Sequence, residues 1–370
     1  MINYYELGKN RKLHEIVVAG SHDAGITSGD SGVQTQTLNI AEQAVAGVRF
    51  FDVRVAAAVT NQRKSGHAVA ELRAFHADDK VVMHLNRKQV VIKNALNPTP
   101  VDITQSKLAG GAFGLPLYSM LQQARNFVCS EIGAKEFLIL KFDKCTNWEE
   151  IADACRTTLR DSFYLGGGNL NVKTLKDLRG KVIVLFSKAG VDELKGITPG
   201  ILQFKNLSSG AGYADDFEGL QYYGKGGTSP FNPHKKLDQN ITKQSKLMAG
   251  AAAMGKPEVI GMMYWTTTGL VESIKKRDDG MWDAPDRCGM KALWSQGLGD
   301  FVNARVSLPS TTPLANAQQR RTFFPNIVMI DFADDMKCGR IRALNDISAL
   351  HISERRRFCH ASFRTSGSDT

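Results

Sequence analysis

Long apolar runs are missing from this chain. Nowhere does it carry the roughly 18 to 20 consecutive apolar residues that a bilayer-crossing helix needs, which excludes a transmembrane helix. The start, Met1-Ile2-Asn3-Tyr4-Tyr5-Glu6, has no basic stretch followed by an apolar one, so no signal peptide is expected there. Cysteine is sparse. The six residues (Cys129, Cys145, Cys155, Cys288, Cys338 and Cys359) form no C-x-x-C or other metal-ligand spacing, and most read as small buried apolar residues. A disulfide among them would need an oxidising compartment, and no pairing can be argued. No basic stripe interleaved with aromatics occurs, which excludes a stacking platform for single-stranded nucleic acid. Gly166-Gly167-Gly168 and Gly224-Lys225-Gly226-Gly227 do not open helices after strands, so neither reads as a phosphate loop. There is no internal repeat and no linker that would cut the chain in two.

What is present suits a substantial folded core. At 370 residues and 42% hydrophobic, the chain fits one large α/β barrel or two modest domains and is not disordered. Its 47 basic and 37 acidic residues give a net charge of +10. That fits an ordinary basic protein, or attraction to a polyanion such as anionic lipid or nucleic acid. The densest basic clusters, Arg320-Arg321 and Arg355-Arg356-Arg357, read as solvated faces rather than sites. Residues 355–370 read as a polar, flexible tail after a barrel spanning 1–354.

Eight compact apolar runs are candidate strands: Ile16 to Ala19, Val48 to Val53, Leu72 to Phe75, Phe137 to Lys141, Val182 to Phe186, Ile201 to Phe204, Val259 to Trp265 and Ile327 to Asp331. Helical patterns fall between several of them, at Leu38 to Ala46, Tyr118 to Ile132, Ile151 to Arg160 and Lys243 to Met254. Strands alternating with helices predict a parallel sheet, and this number predicts closure into a single (β/α)8 TIM-type barrel with long rim loops. An open doubly wound sheet is the alternative. Three long connections, 77–112, 205–240 and 276–320, read as rim loops.

Polar residues at strand ends carry the chemistry. His22 follows the first run in Ser21-His22-Asp23, Arg54 follows the second in Asp52-Val53-Arg54, and His76 follows Leu72-Arg73-Ala74-Phe75. In a barrel such residues converge on one rim, where polar groups are more often catalytic than structural. Two imidazoles and a guanidinium are the parts needed to move a proton onto and off a phosphodiester while stabilising its charge. His84 is a second candidate for the place of His76. His14, His67, His234, His351 and His360 fit no motif.

Ser21-His22-Asp23, then Gly47-Val48-Arg49-Phe50-Phe51-Asp52-Val53-Arg54, then His76, resemble the catalytic X region of bacterial phosphatidylinositol-specific phospholipase C. Phe137-Leu138-Ile139-Leu140-Lys141, Arg179-Gly180-Lys181-Val182-Ile183-Val184-Leu185 and Asn326-Ile327-Val328-Met329-Ile330-Asp331-Phe332 agree in order and spacing. The likeness runs from about residue 14 to 333 and is weakest between 190 and 258. It implies a distorted α/β barrel that cleaves phosphatidylinositol to diacylglycerol and inositol 1,2-cyclic phosphate. His22 would then be the general base, steadied by Asp331. Arg54 would clamp the phosphate, with Asp52 on the same face orienting it. His76, helped by Asp23, would be the general acid, and Lys141 would contact the inositol.

The same resemblance implies no metal and no cofactor. It also implies transient contact with a membrane surface, phosphatidylinositol (glycosyl-phosphatidylinositol anchors included) as substrate, and an extracellular site of action. Neither nucleic acid nor an obligate protein partner is expected. Phe231 and Trp282 are the aromatics expected to touch the membrane. Two departures bear on the head group. Where the family carries an arginine after the fifth strand, this chain offers Ser187 and Lys188. Where it carries Asp-x-Tyr, the nearest segment is Tyr213-Ala214-Asp215-Asp216-Phe217, with Tyr222-Tyr223 behind. Lys188, Tyr213 and Asp215 are accordingly expected to bind substrate alongside Lys141. The competing readings are a same-barrel phosphodiesterase acting on another lipid or a glycerophosphodiester, and a non-catalytic lipid-binding barrel.

Overall fold

In the computed structural model the described residues are 1–77, 81–96, 98–196, 198–226, most of 243–266, 273–283 and 325–349. Strands follow in chain order as β1 (Val18–Ser21), β2 (Val48–Val53), β3 (Val55–Lys64), β4 (His67–His76), β5 (Val82–His84), β6 (Lys88–Ile92), β7 (Val101–Ile103), β8 (Gln105–Leu108) and β9 (Ala112–Pro116). After them come β10 (Phe137–Phe142), β11 (Lys181–Phe186), β12 (Ile201–Asn206), β13 (Gly219–Tyr223), β14 (Ile260–Trp265) and β15 (Ile327–Ile330). Eight of these close a parallel barrel in the order β1-β2-β10-β11-β12-β13-β14-β15, with β15 returning to β1. Helices α1 (Ile40–Ala46), α2 (Leu117–Cys129) and α3 (Trp148–Leu159) are among those on its outside. The chain is therefore a closed α/β barrel of the TIM type.

The apolar runs are legible because each barrel strand is buried on both faces. Ile139, Ile183, Leu185, Leu202, Phe204, Leu220, Tyr222, Met262, Tyr264 and Met329 belong to one core cluster inside the barrel. Leu138, Leu140, Val182, Val184, Met263, Trp265 and Val328 belong to a second, against the helices. Tyr4, Leu13 and Ile16 join the inner cluster, so the segment before β1 closes one end of the barrel.

That closure is locked by a buried ion pair. Arg49 Nε donates to Glu136 Oε2 at 2.7 Å, with the two residues 0% and 1% exposed. The guanidinium also donates to the carbonyls of Ala44, Val48 and Ile2, and sits over the rings of Tyr4 and Phe127 at 5.2 and 5.1 Å. Glu136 Oε1 accepts from the amides of Tyr4 and Tyr5.

The barrel order corrects the expected strand list at two places. Leu72 to Phe75 is not the third barrel strand. It lies within β4, in a separate sheet ordered β5-β8-β3-β4-β6-β7, with β9 pairing β4. The missing barrel strand is β13, whose Gly-Leu-Gln-Tyr-Tyr sequence breaks the apolar run at Gln221. Nor is 77–112 mainly a rim loop, because it supplies β5 to β8, four of the second sheet's seven strands. Its founding hairpin turns at Ser65 and Gly66, both left-handed at φ 51° and 81°, the conformation a tight two-residue hairpin requires. Val55, Ala57, Leu72 and Ala74 pack this sheet onto the outer core. Residues 355–370 and the basic clusters at 320–321 and 355–357 lie outside the described residues. No helix among the described residues is long and apolar enough to cross a membrane.

Candidate active site

β1 and β15 are neighbours in register, Ser21 beside Ile330, so the residues after them, His22 and Asp331, emerge side by side. Asp331 Oδ1 lies 2.9 Å from His22 Nδ1 and is wholly buried. A carboxylate cannot donate, so Nδ1 carries the proton and Nε2 is left as the titrating nitrogen. Both strands then turn sharply through left-handed residues, Asp23 at φ 44° and Phe332 at φ 46°. The turn of Asp23 swings its side chain across to Arg54, which follows β2.

Asp23 is the hub of the site. Arg54 grips it bidentately, Nε to Oδ1 at 2.8 Å and Nη2 to Oδ2 at 2.5 Å. His76 Nδ1 reaches the same Oδ2 at 2.6 Å, and His22 Nε2 lies 3.5 Å from it. Arg54 Nη2 is also 3.1 Å from His76 Nδ1. Two donors cannot share a hydrogen bond, so the short carboxylate contact assigns the proton to Nδ1 and both groups converge on Oδ2. Arg54 Nη1 further donates to Ala77 O at 3.3 Å. Gly111, at φ 89°, lets β9 pass against the His76 carbonyl, where any Cβ would collide.

The electrostatics follow from this packing. Burial disfavours the His22 imidazolium, but Asp23 and Asp331 outweigh it and raise the pKa from 6.5 to about 9. Burial likewise pushes the Asp23 carboxyl up, and Arg54, His22 and His76 overcome this to hold it well below the usual carboxylate range.

A second polar group lies on the inner face beside it. β10 and β2 pair Lys141 with Asp52, and Lys141 Nζ bonds Asp52 Oδ1 at 3.0 Å and Asp143 Oδ2 at 3.3 Å. Lys141 is 1% exposed and its ammonium lies 4.7 Å from the Phe204 ring centre. Burial opposes this charge, yet Asp52, then Tyr264, Tyr222 and Asp143, keep the ammonium charged well above its ordinary range. Tyr264 also meets the His22 ring edge-on at 6.2 Å.

The expected residues are thus partly brought together. His22, Asp23, Arg54, His76 and Asp331 form one cluster, with Asp52 and Lys141 paired at the same barrel mouth. Asp23 meets His76 as expected, but Arg54 is oriented by Asp23 rather than by Asp52, which gives its carboxylate to Lys141. His84 bonds Ser106 Oγ at 3.0 Å in the second sheet, so His76 holds the place at Asp23. Lys188 points to solvent and pairs with Asp192 one turn along its own helix. Tyr213 is bonded by Asn169, which bridges to Gly219 at the start of β13, and Asp215 pairs with Lys256 ahead of β14. Both therefore sit toward the amino ends of the strands, opposite the His22 rim. Trp282 is 3% exposed and under Lys337, not at the surface; Phe231 lies outside the described residues.

Sequence reasoning missed Thr35 and Gln36, both buried. Thr35 Oγ1 donates to Asp23 O, and Gln36 Nε2 donates to His22 O and Ile330 O while its Oε1 accepts from Ala333 N. They brace both left-handed turns, and nothing in Val33-Gln34-Thr35-Gln36 signals it. Phe204, Tyr222 and Tyr264 could have been found from the period-two alternation of their strands. Among the described residues no group of three His, Cys, Asp or Glu is placed to hold a metal ion.

Comparison with protein-family models and with curated proteins finds no match. Solved structures do match. A pentafluoro-Phe-containing phosphatidylinositol-specific phospholipase C from Staphylococcus aureus superposes with a TM-score of 0.50 at 16% identity, covering 91% of this chain and 94% of that one. A second structure of the S. aureus enzyme, concerned with its membrane binding, gives 0.49 at 15% identity over 94% and 97%. The chain thus shares the barrel fold of bacterial phosphatidylinositol-specific phospholipase C.

Proposed function

We propose that this chain is a phosphodiesterase that cleaves phosphatidylinositol at a membrane surface. The observation that carries the reading is the Asp23 hub, which holds two imidazoles and a guanidinium in one cluster with each Nδ1 committed to a carboxylate. His22 Nε2 takes the proton of the inositol 2-hydroxyl, and that oxygen attacks the adjacent phosphorus. Asp331 stabilises the imidazolium formed. Arg54 neutralises the charge growing on the phosphoryl oxygens. As the bond from phosphorus to the glycerol oxygen breaks, His76 Nε2 supplies its proton. The products are diacylglycerol and inositol 1,2-cyclic phosphate. Lys141, with Phe204, Tyr222 and Tyr264, is the polar and aromatic set next to the centre, and it takes the inositol-binding role expected of Tyr213, Asp215 and Lys188. The net charge of +10 favours docking on anionic lipid.

The base must be neutral to act, and His22 holds its proton below a pKa of about 9. In a His76→Ala variant acting on an inositol phosphodiester whose leaving group needs no proton, only the base titrates, and kcat/KM should therefore rise with pH through an apparent pKa far above the ordinary 6.5. A profile already flat above pH 7 would remove His22 from the base role.

Arg54 supplies fixed positive charge beside both imidazoles, and its guanidinium repels a divalent ion from the cluster. Vesicles of phosphatidylinositol, phosphatidylcholine and sphingomyelin, each incubated with and without excess chelator, test the reading. Inositol 1,2-cyclic phosphate is expected from the first alone, undiminished by chelator. Arg54→Lys should lower that rate by about 10²–10³-fold, the loss typical of one essential donor to a developing oxyanion. Choline phosphate release, or activity that needs added calcium, overturns it.

A further inference from the structure

A helix spanning Ile274–Asp283 lies against the turn that presents Asp331. Ile274, Asp278 and Trp282 are four residues apart, share one face and are 2%, 0% and 3% exposed. The Ile274 amide donates to Ser31 O at 2.8 Å. Lys275 places its ammonium 5.6 Å from the Phe332 ring centre. Asp278 pairs with Lys337, whose ammonium lies 5.6 Å from the Trp282 ring centre.

Lys337 belongs to the helix Asp335–Ala349 and is 5% exposed. Its Nζ donates to the carbonyls of Asp331 at 3.3 Å and Phe332 at 2.8 Å. Those carbonyls flank the left-handed Phe332, a conformation that a bulky residue holds only when its surroundings dictate it. A buried ion pair is a poor stabiliser, since well-packed apolar residues often serve as well or better. Here one Asp278 oxygen has no hydrogen-bond partner among the described residues and burial raises the carboxyl to about 7, so the pair is held at some cost. What it does that apolar residues could not is bind two carbonyls of the turn carrying the Asp331 carboxylate.

We infer that the Lys337–Asp278 pair is a positioning element: it pins the Asp331–Phe332 turn so that the Asp331 carboxylate stays on His22 Nδ1. This rests on the acid–base role proposed for His22, but its primary test needs no turnover. Histidine NMR in the full chain would follow the titration of His22 and the low-field resonance of its hydrogen-bonded Nδ1 proton. The double variant Lys337→Met/Asp278→Leu removes both buried charges together, but it leaves the Asp331 and Phe332 carbonyls without their donor, so it is expected to fold with a lowered Tm. It should lose the low-field resonance, and the His22 pKa should fall toward 6.5. Its cleavage of phosphatidylinositol should drop about 10–100-fold, as for other residues that orient an active-site group indirectly. Asp278→Asn keeps the shape of the pair and should shift the same signals in the same direction by less; it carries the test if the double variant does not fold. An unchanged His22 titration and Nδ1 resonance in the folded variant would overturn the inference. If the NMR changes occur but the wild-type protein leaves phosphatidylinositol intact, the positioning role stands and the proposed activity falls.

Discussion

Replacing His22 with Ala is expected to lower phosphatidylinositol cleavage by about 10²–10⁴-fold while the protein still folds, and His76→Ala should do the same. His22 is the ring whose Nε2 is left to move a proton once Asp331 occupies Nδ1. His76 is fixed by the opposite carboxylate, Asp23, at 2.6 Å. Both rings lie at the barrel mouth, so truncation opens no cavity in the apolar core. The two losses should not add, because general base and general acid serve one displacement. The measurement is initial release of inositol 1,2-cyclic phosphate, with near-UV circular dichroism as the check on folding. A folded variant that keeps more than about a tenth of wild-type rate, far short of the loss one proton transfer predicts, removes that histidine from the mechanism.

The largest expected effect on stability lies at the far end of the barrel. Glu136→Ala leaves the Arg49 guanidinium buried without its counter-ion and strips the acceptor from the Tyr4 and Tyr5 amides. Breaking a buried pair on one side costs about 3–5 kcal/mol, a fall in Tm of about 4–6 °C for a chain of this size. Arg49→Met/Glu136→Leu, which removes both charges, should recover much of that loss. The recovery will be incomplete, because Arg49 also donates to the carbonyls of Ile2 in the N-terminal segment, Ala44 in α1 and Val48 in β2. Calorimetry of the two variants beside the wild type decides the point. A Glu136→Ala protein melting within about 2 °C of wild type, against the expected loss, would show that the pair does not lock the barrel end.

How much of this was legible in the chain depended on which interactions were local. Seven barrel strands could be read as runs such as Phe137-Leu138-Ile139-Leu140 and Val182-Ile183-Val184-Leu185 because both faces of a parallel barrel strand are buried. β13 could not, since Gln221 turns its amide outward to bond Ala214 on both its nitrogen and its oxygen. The second sheet was hidden for a related reason. Apart from the ten-residue β3 and β4, its strands are three to five residues long, and its pairings reach as far as Ala57 of β3 with Gln105 of β8, so periodicity alone does not separate them from a loop.

By itself, the sequence determined the barrel's strand–helix alternation and the positions of His22, Asp23, Arg54, Lys141 and Asp331, because each follows or ends an apolar run and a parallel strand delivers its last residues to one rim. Tertiary structure decided how those groups are connected. Strand register set Lys141 against Asp52, and a left-handed turn carried Asp23 over to Arg54 and His76. Long-range packing chose His76 over His84, sent Lys188, Tyr213 and Asp215 elsewhere, and set Lys337 and Asp278 beneath the Asp331 turn. A side chain's neighbours across a barrel depend on register, chain reversal and helix docking, and none of these is encoded in the spacing of residues along the chain.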